Sequence, residues 1–158
     1  MTWRDLVPQF LALFTQAELQ AKIRARVVAL ENGCWEWIGY RRSSGGAYPF
    51  IYGDLTLARG NMQLKMRAHR LSFLAFKGTI PPGHDIDHLC RVTVCVNPDH
   101  LEAVTRRENL LRGVGISAQH AAKTACPQGH PYDGFRNGGR RCSICDRATE
   151  KRRVRAIS

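Results

Sequence analysis

The chain has 158 residues, enough for one modest core or a core plus a small metal-stapled appendage, so at most two structural units are expected. Its 24 Lys+Arg against 13 Asp+Glu give a net charge of +11, more than solubility requires, which points to a polyanionic partner. The excess is uneven: residues 106–158 hold 12 basic and 4 acidic side chains, against 12 and 9 in residues 1–105. A membrane span is excluded, because no apolar run approaches the roughly 20 residues needed to cross a bilayer. The N-terminal Met1-Thr2-Trp3-Arg4-Asp5 has no basic region leading into an apolar segment, so a reducing cytoplasm is expected. Six cysteines in that compartment read as metal ligands rather than as three disulfides.

Residues 1–31 are predicted helical, with Thr15-Gln16-Ala17-Glu18 as a capping box and Leu19, Ile23 and Val27 at four-residue spacing on one face. From Cys34 the period changes to two. Cys34 to Ile38 alternates, and after Arg41-Arg42-Ser43-Ser44-Gly45-Gly46 a second extended run, Ala47 to Tyr52, completes an expected hairpin with a basic tip. Trp35 and Trp37 share one face of the first strand, which suits core packing. A third extended piece, Gln63 to Ala68, leads into a helix from His69 to Phe76 that stops at Gly78.

Pro81-Pro82-Gly83 ends regular structure, and Asp85 to His88 is predicted extended. A loop over Leu89–Asp99, a short return strand Leu101–Val104 and a second capping box, Thr105-Arg106-Arg107-Glu108, follow. Asn109 then falls in the first turns of a helix, and strand, loop, strand, helix is a ββα unit. Residues 114–125 show no strong periodicity and read as a linker. The end of the chain, Asp146 to Ala156, is basic and helix-compatible.

Two ligand sets stand out. Cys126-x3-His130 and Cys142-x2-Cys145, separated by a Gly-rich turn over 134–139, form a four-ligand set whose zinc replaces the core that so short a module cannot build. Cys90, Cys95 and His100 supply three positions of a second structural zinc, and Cys34, the one cysteine left unused, is assigned as the fourth. His69, His84 and His120 are read as packed or exposed histidines, since neither set lacks a member. Asp87 and Asn109 are hard oxygen ligands beside His88, equipment for metal-assisted attack on a phosphodiester.

Asp87-His88-Leu89-Cys90, Cys95-Val96-Asn97-Pro98-Asp99-His100-Leu101 and Arg107-Glu108-Asn109 together resemble the zinc-containing branch of the HNH, or His-Me finger, endonucleases of phage and intron-encoded (homing) type. Ala68-His69-Arg70-Leu71 with Phe76 and Gly78 resembles the family's lead-in, and Cys126–Arg153 the small zinc module that often follows such domains. The resemblance covers about residues 34–113. It implies an α+β fold with a ββα-metal core, an N-terminal helical segment (1–31), a nuclease domain with its upstream hairpin (32–113), a linker (114–125) and a basic zinc module (126–158). It further implies His88 as general base and Asp87 with Asn109 as holders of one Mg²⁺ or similar ion bridging the scissile phosphate. An imidazole of ordinary pKa, about 6.5, can take a proton from water at physiological pH. Many members of that family carry a structural asparagine in the loop, where zinc and His100 are expected to serve here.

Arg70 is a candidate for phosphate or transition-state contact through its bidentate guanidinium. Arg41, Arg42, Arg140, Arg141, Lys151, Arg152 and Arg153 are candidate contacts to the backbone of DNA, double-stranded by expectation. Two cuts across a duplex by one site per chain would suggest a homodimer. RNA as substrate stays open, as does a zinc-dependent DNA-binding protein that keeps the fold without catalysis.

Overall fold

A computed structural model describes residues 3–43, 45 and 50–157 and divides the chain into two compact units, Met1–Asn109 and Leu110–Ser158. In the first, helix α1 (Trp3–Leu11) is followed by α2 (Gln16–Arg24), whose N-terminus is closed by the expected reciprocal cap between Thr15 and Glu18. Leu19 and Ile23 are buried. The helix does not continue to residue 31: Val27–Ala29 is strand β1, paired antiparallel with β2 (Trp35–Trp37), so Val27 faces Trp37 in register. Two β-branched residues in succession favour the extended chain, and Gly33 at φ +79° makes the turn that returns it.

The expected hairpin is therefore divided differently. The strand at Trp35–Trp37 pairs backwards with β1, while β3 (Arg41–Ser43) pairs with β4 (Ile51–Arg59). Ser44 and residues 46–49, the tip and the start of the predicted second strand, lie outside the described residues. Strand β4 turns at Gly60-Asn61 into β5 (Met62–Arg67), with Arg59 opposite Met62 and Asp54 opposite Arg67. Leu55 and Leu57 from β4 and Leu64 and Met66 from β5 point into one core with Phe10, Phe14, Leu19, Ile23, Trp37, Leu71 and Val96. Trp37 is its centre, wholly buried, with its Nε1 donating to the Tyr40 carbonyl at 3.1 Å. Gly39 and Gly53 make room for the indole: a Cβ at Gly39 would lie 2.7 Å from the ring.

Helix α3 (Ala68–Phe76) follows β5 without a break and packs on α2, where Gln16 and Gln20 both donate to the Ala75 carbonyl at 3.0 and 2.9 Å. Strand β6 (His84–His88) then pairs antiparallel with β7 (Leu101–Thr105) over their full length, His88 opposite Leu101 and His84 opposite Thr105. Ile86 and Leu101 pack on Phe73, seating this hairpin on α3. The connecting loop ends in a 3-10 turn over Pro98–His100, and its neck is closed by Leu89 N–H donating to the His100 carbonyl at 2.9 Å. Helix α4 (Arg106–Arg112) starts on the second capping box, Thr105 with Glu108.

In the second unit residues 114–125 contain a helix, α5 (Ile116–Ala122), which the sequence pattern did not show. Its surface explains why: Ile116 is 70% exposed, and no apolar stripe marks the period. Strands β8 (Gly134–Arg136) and β9 (Gly139–Arg141) form a tight hairpin at Asn137-Gly138, both with positive φ, before the long helix α6 (Ser143–Ile157). The whole is an α+β arrangement of small sheets and helices. Among the described residues no helix is long and apolar enough to cross a membrane.

Candidate active site and metal centres

Four ligand atoms from Cys34, Cys90, Cys95 and His100 lie within 4.8 Å of one another, and so do those of Cys126, His130, Cys142 and Cys145. The fit to zinc can be tested on the edges of each cluster. A tetrahedron with Zn–S of about 2.3 Å and Zn–N of about 2.0–2.1 Å has S···N edges of about 3.6 Å and S···S edges of about 3.8 Å. In the first cluster Cys34 Sγ and Cys95 Sγ lie 3.5 and 3.6 Å from His100 Nδ1. In the second, the S···N distances to His130 Nδ1 are 3.6 Å for Cys126 and 3.4 Å for Cys145, and the two sulfurs are 3.7 Å apart. These edges are those of a tetrahedral zinc site, and each cluster could hold such an ion.

The first cluster joins distant parts of the chain. Cys34 leaves the β1–β2 turn buried, 2% exposed, and meets a loop more than fifty residues later. Burial, reinforced by the neighbouring thiols of Cys95 and Cys90, pushes the Cys34 thiol up to about 12. The junction is also hydrogen-bonded. Val96 N–H donates to the Trp35 carbonyl at 2.9 Å, Trp37 N–H to the Val94 carbonyl at 3.0 Å, and Ser72 Oγ to the Val96 carbonyl at 2.5 Å.

Asn97 completes the junction, and here the structure corrects an expectation. Its Nδ2 donates to the Gly33 carbonyl at 2.6 Å and its Oδ1 accepts from Asp99 N–H at 3.0 Å, with the side chain buried. The loop thus has a structural asparagine as well as His100. The Asn-Pro pair that marks the turn was the available signal.

His88 ends β6, 6% exposed, with Nε2 3.2 Å from the Cys95 carbonyl. A carbonyl only accepts, so Nε2 carries the proton and the neutral ring presents Nδ1 as its lone-pair nitrogen. Burial lowers the His88 pKa; the Cys95 carbonyl and Asp87 oppose the shift, and Arg91 adds to it. Against the ring stands His69, from the first turn of α3, in an edge contact with centroids 4.7 Å apart, and Tyr52 of β4 closes the group at 5.5 Å from His69 and 6.2 Å from His88. His69 is also buried, and desolvation, then His88 and the guanidinium groups of Arg70 and Arg67, hold its pKa well below the usual histidine range. His69 is therefore a packed neutral ring, as expected, but one packed on the candidate base.

Asp87 is 5% exposed, and its Oδ1 accepts from Arg91 Nη1 at 2.8 Å. Asn109, from α4, turns its Nδ2 toward Asp85 Oδ2 at 3.5 Å, while Arg106 Nη1 lies 3.3 Å from the same oxygen. Asp85 and Asp87 alternate with Ile86 and His88 along β6, so they share a face. Asp85, rather than Asp87, is the carboxylate that Asn109 meets. Neither Asp85 nor Arg91 is among the sequence-predicted site residues, although the period of two in Asp85-Ile86-Asp87-His88 carried the first.

The basic residues divide. Arg41 is tied to Glu36 at 2.7 Å and Arg42 to the buried Asp54 at 3.1 Å. Arg140 lies over Tyr132 and donates to the carbonyls of His120, Ala121 and Lys123, capping α5, so its guanidinium is engaged within the module. Arg141 pairs with Asp146 at 2.8 Å. Lys151 and Arg153 stand exposed on α6, with Arg152 beside them donating to the Ala148 carbonyl at 3.4 Å. Arg70 is half-buried on α3, one residue past His69.

Residues 66–111, which run from the end of β5 through α3 and the β6–β7 hairpin into α4, match the HNH endonuclease family, and this stretch of the chain is an HNH-type domain. The chain is also similar to two phage proteins. It is 33% identical over 103 residues to Protein 2.8 of Escherichia phage T7, covering 65% of each chain, a little under two thirds of that protein. It is 26% identical over 83 residues to the uncharacterized gene 5.3 protein of Enterobacteria phage T3, covering 52% of this chain and 79% of that one. No solved structure matches the chain.

Proposed function

We propose that the protein is a metal-dependent endonuclease that hydrolyses DNA phosphodiester bonds, with His88 as general base in a ββα-metal site formed by β6, β7 and α4. The observation that carries this reading is the contact of His88 Nε2 with the Cys95 carbonyl. Its Nε2–H is fixed on the Cys95 carbonyl, so Nδ1 is the proton acceptor, and burial keeps the ring neutral at physiological pH.

Asp87 and Asn109 would hold a divalent ion of the Mg²⁺ type, the amide of Asn109 oriented by Asp85 so that its Oδ1 is left as a hard donor. Such an ion, when bound, supplies positive charge to the phosphate and to the leaving 3′-oxygen. The chain's own part is to place water at Nδ1 of His88, take up its proton, and keep the imidazole from turning through the hydrogen bond at Nε2. Zinc in the Cys34 cluster plays a different part. Cys95 is both a ligand and the residue whose carbonyl holds His88, so the structural metal orients the base without touching substrate.

In this reading residues 32–113 form the nuclease and residues 126–158 a zinc module whose Lys151, Arg152 and Arg153 track duplex phosphates. The test is plasmid cleavage in Mg²⁺ by the wild type and by His88→Ala, with zinc content measured on both. Nicked or linear product from the wild type alone is expected. Equal cleavage by a folded His88→Ala variant removes the mechanism, and a gel shift without cleavage leaves a DNA-binding protein.

A further inference from the structure

Asp54 of β4 is a buried carboxylate, its side chain 2% exposed. Three cations converge on it: Arg42 Nε at 3.1 Å, Arg67 Nη1 at 3.1 Å and Lys65 Nζ at 3.7 Å. One cation would neutralise it. The other two leave a positive surplus within one side-chain length, an arrangement that is unfavourable in isolation and favourable beside a polyanion.

Of the three, Arg67 is the one joined to the candidate base. Its guanidinium lies over the Tyr52 ring, 4.9 Å from the centroid, and that ring is 6.2 Å from the ring of His88. Arg67 is also the residue from which α3 springs, and no side chain caps that end of the helix. The side chain is 26% exposed, and Asp54 is its only side-chain hydrogen-bond partner among the described residues. An arginine fork has five N–H groups, so a carboxylate on one edge and a phenol ring beneath hold the plane still while donors remain.

We propose that Arg67 is a substrate-binding residue that grips a backbone phosphate beside the bond attacked at His88, and that Asp54 and Tyr52 are positioning residues that aim it. This rests on the nuclease reading.

The experiment measures duplex oligonucleotide binding without added Mg²⁺ over a salt series, for the wild type, Arg67→Gln, Arg67→Lys and the double variant Asp54→Asn/Arg67→Gln. Each phosphate contact contributes about 0.9 to the slope of log K against log salt on duplex DNA, so Arg67→Gln should flatten the slope by about one contact. Arg67→Lys should keep the slope and bind several-fold more weakly, the charge being retained and the fork lost. The double variant, in which no carboxylate is left buried without its partner, should repeat the Arg67→Gln slope, which separates phosphate binding from a folding defect. In Mg²⁺, kcat/KM for Arg67→Gln should fall about tenfold or more. A slope unchanged from wild type in both Gln variants overturns the proposal, as does a wild type that binds no duplex. Failure of the wild type to cleave a duplex that it binds counts against the nuclease reading alone, because the slopes still report on Arg67.

Discussion

Replacing Cys34 by alanine removes one of the four residues that could hold zinc and, with it, the proposed tie between the β1–β2 turn and the loop that carries Cys90 and Cys95. The size of the effect follows from chain length. Cys34 and Cys90 are 56 positions apart, and a cross-link closing a loop of that length removes about 4 kcal/mol of denatured-state freedom in the chain-entropy account. The bonds from Val96 to Trp35, Trp37 to Val94 and Asn97 to Gly33 survive, and a water can take the vacated ligand position. A loss of about 2–4 kcal/mol is therefore expected. For a unit of Met1–Asn109 that is a fall in Tm of roughly 8–15 °C. Metal analysis by mass spectrometry should give two zinc ions for the wild type and one tightly held ion for Cys34→Ala, with the thermal melt read by circular dichroism. Two retained zinc ions with an unchanged melt would show that Cys34 is an ordinary buried thiol and that the cluster closes without it.

Asn97→Ala removes two hydrogen bonds at the same junction and leaves the Gly33 carbonyl without its partner, so denaturant unfolding should show a loss of about 2 kcal/mol with both zinc ions still bound. His69 gives a pH prediction. Its pKa in the fold is well below the unfolded value of about 6.5, so the unfolded chain binds the extra proton: its contribution to stability is complete above pH 6.5 and is lost as pH falls toward the folded value. His69→Phe, which keeps an aromatic ring against His88, should lose less stability than wild type between pH 7 and pH 5; parallel curves for the two proteins would contradict the buried neutral histidine.

The part of the fold that holds the candidate site was the part most legible in the sequence, because its signals are local. Pro81-Pro82-Gly83 opens β6, Thr105 and Glu108 cap α4, and the Cys and His spacings mark the two clusters that could hold a metal ion. What was not legible depended on partners far along the chain. Val27 fits a helical face as well as a strand, and the choice falls to Trp37, whose indole is received by Gly39 and Gly53. Asn32-Gly33 did carry a hairpin signal, immediately before the cysteine at which the period of two becomes visible. The contact of Asn109 with Asp85 needs β6 and α4 side by side, which spacing alone does not provide. In α5 the apolar period that would have marked a helix is missing.

The two clusters also differ in how much of the chain each must wait for. Cys126 to Cys145 is a span of twenty positions, closed as soon as that stretch has been made, whereas Cys34 must wait until His100 has followed it out of the ribosome. In the proposed nuclease the imidazole of His88 would then emerge before the carbonyl that orients it has been fixed. A nuclease assembled in this order would be harmless while incomplete, and the supply of zinc, rather than the supply of chains, would decide when cutting begins.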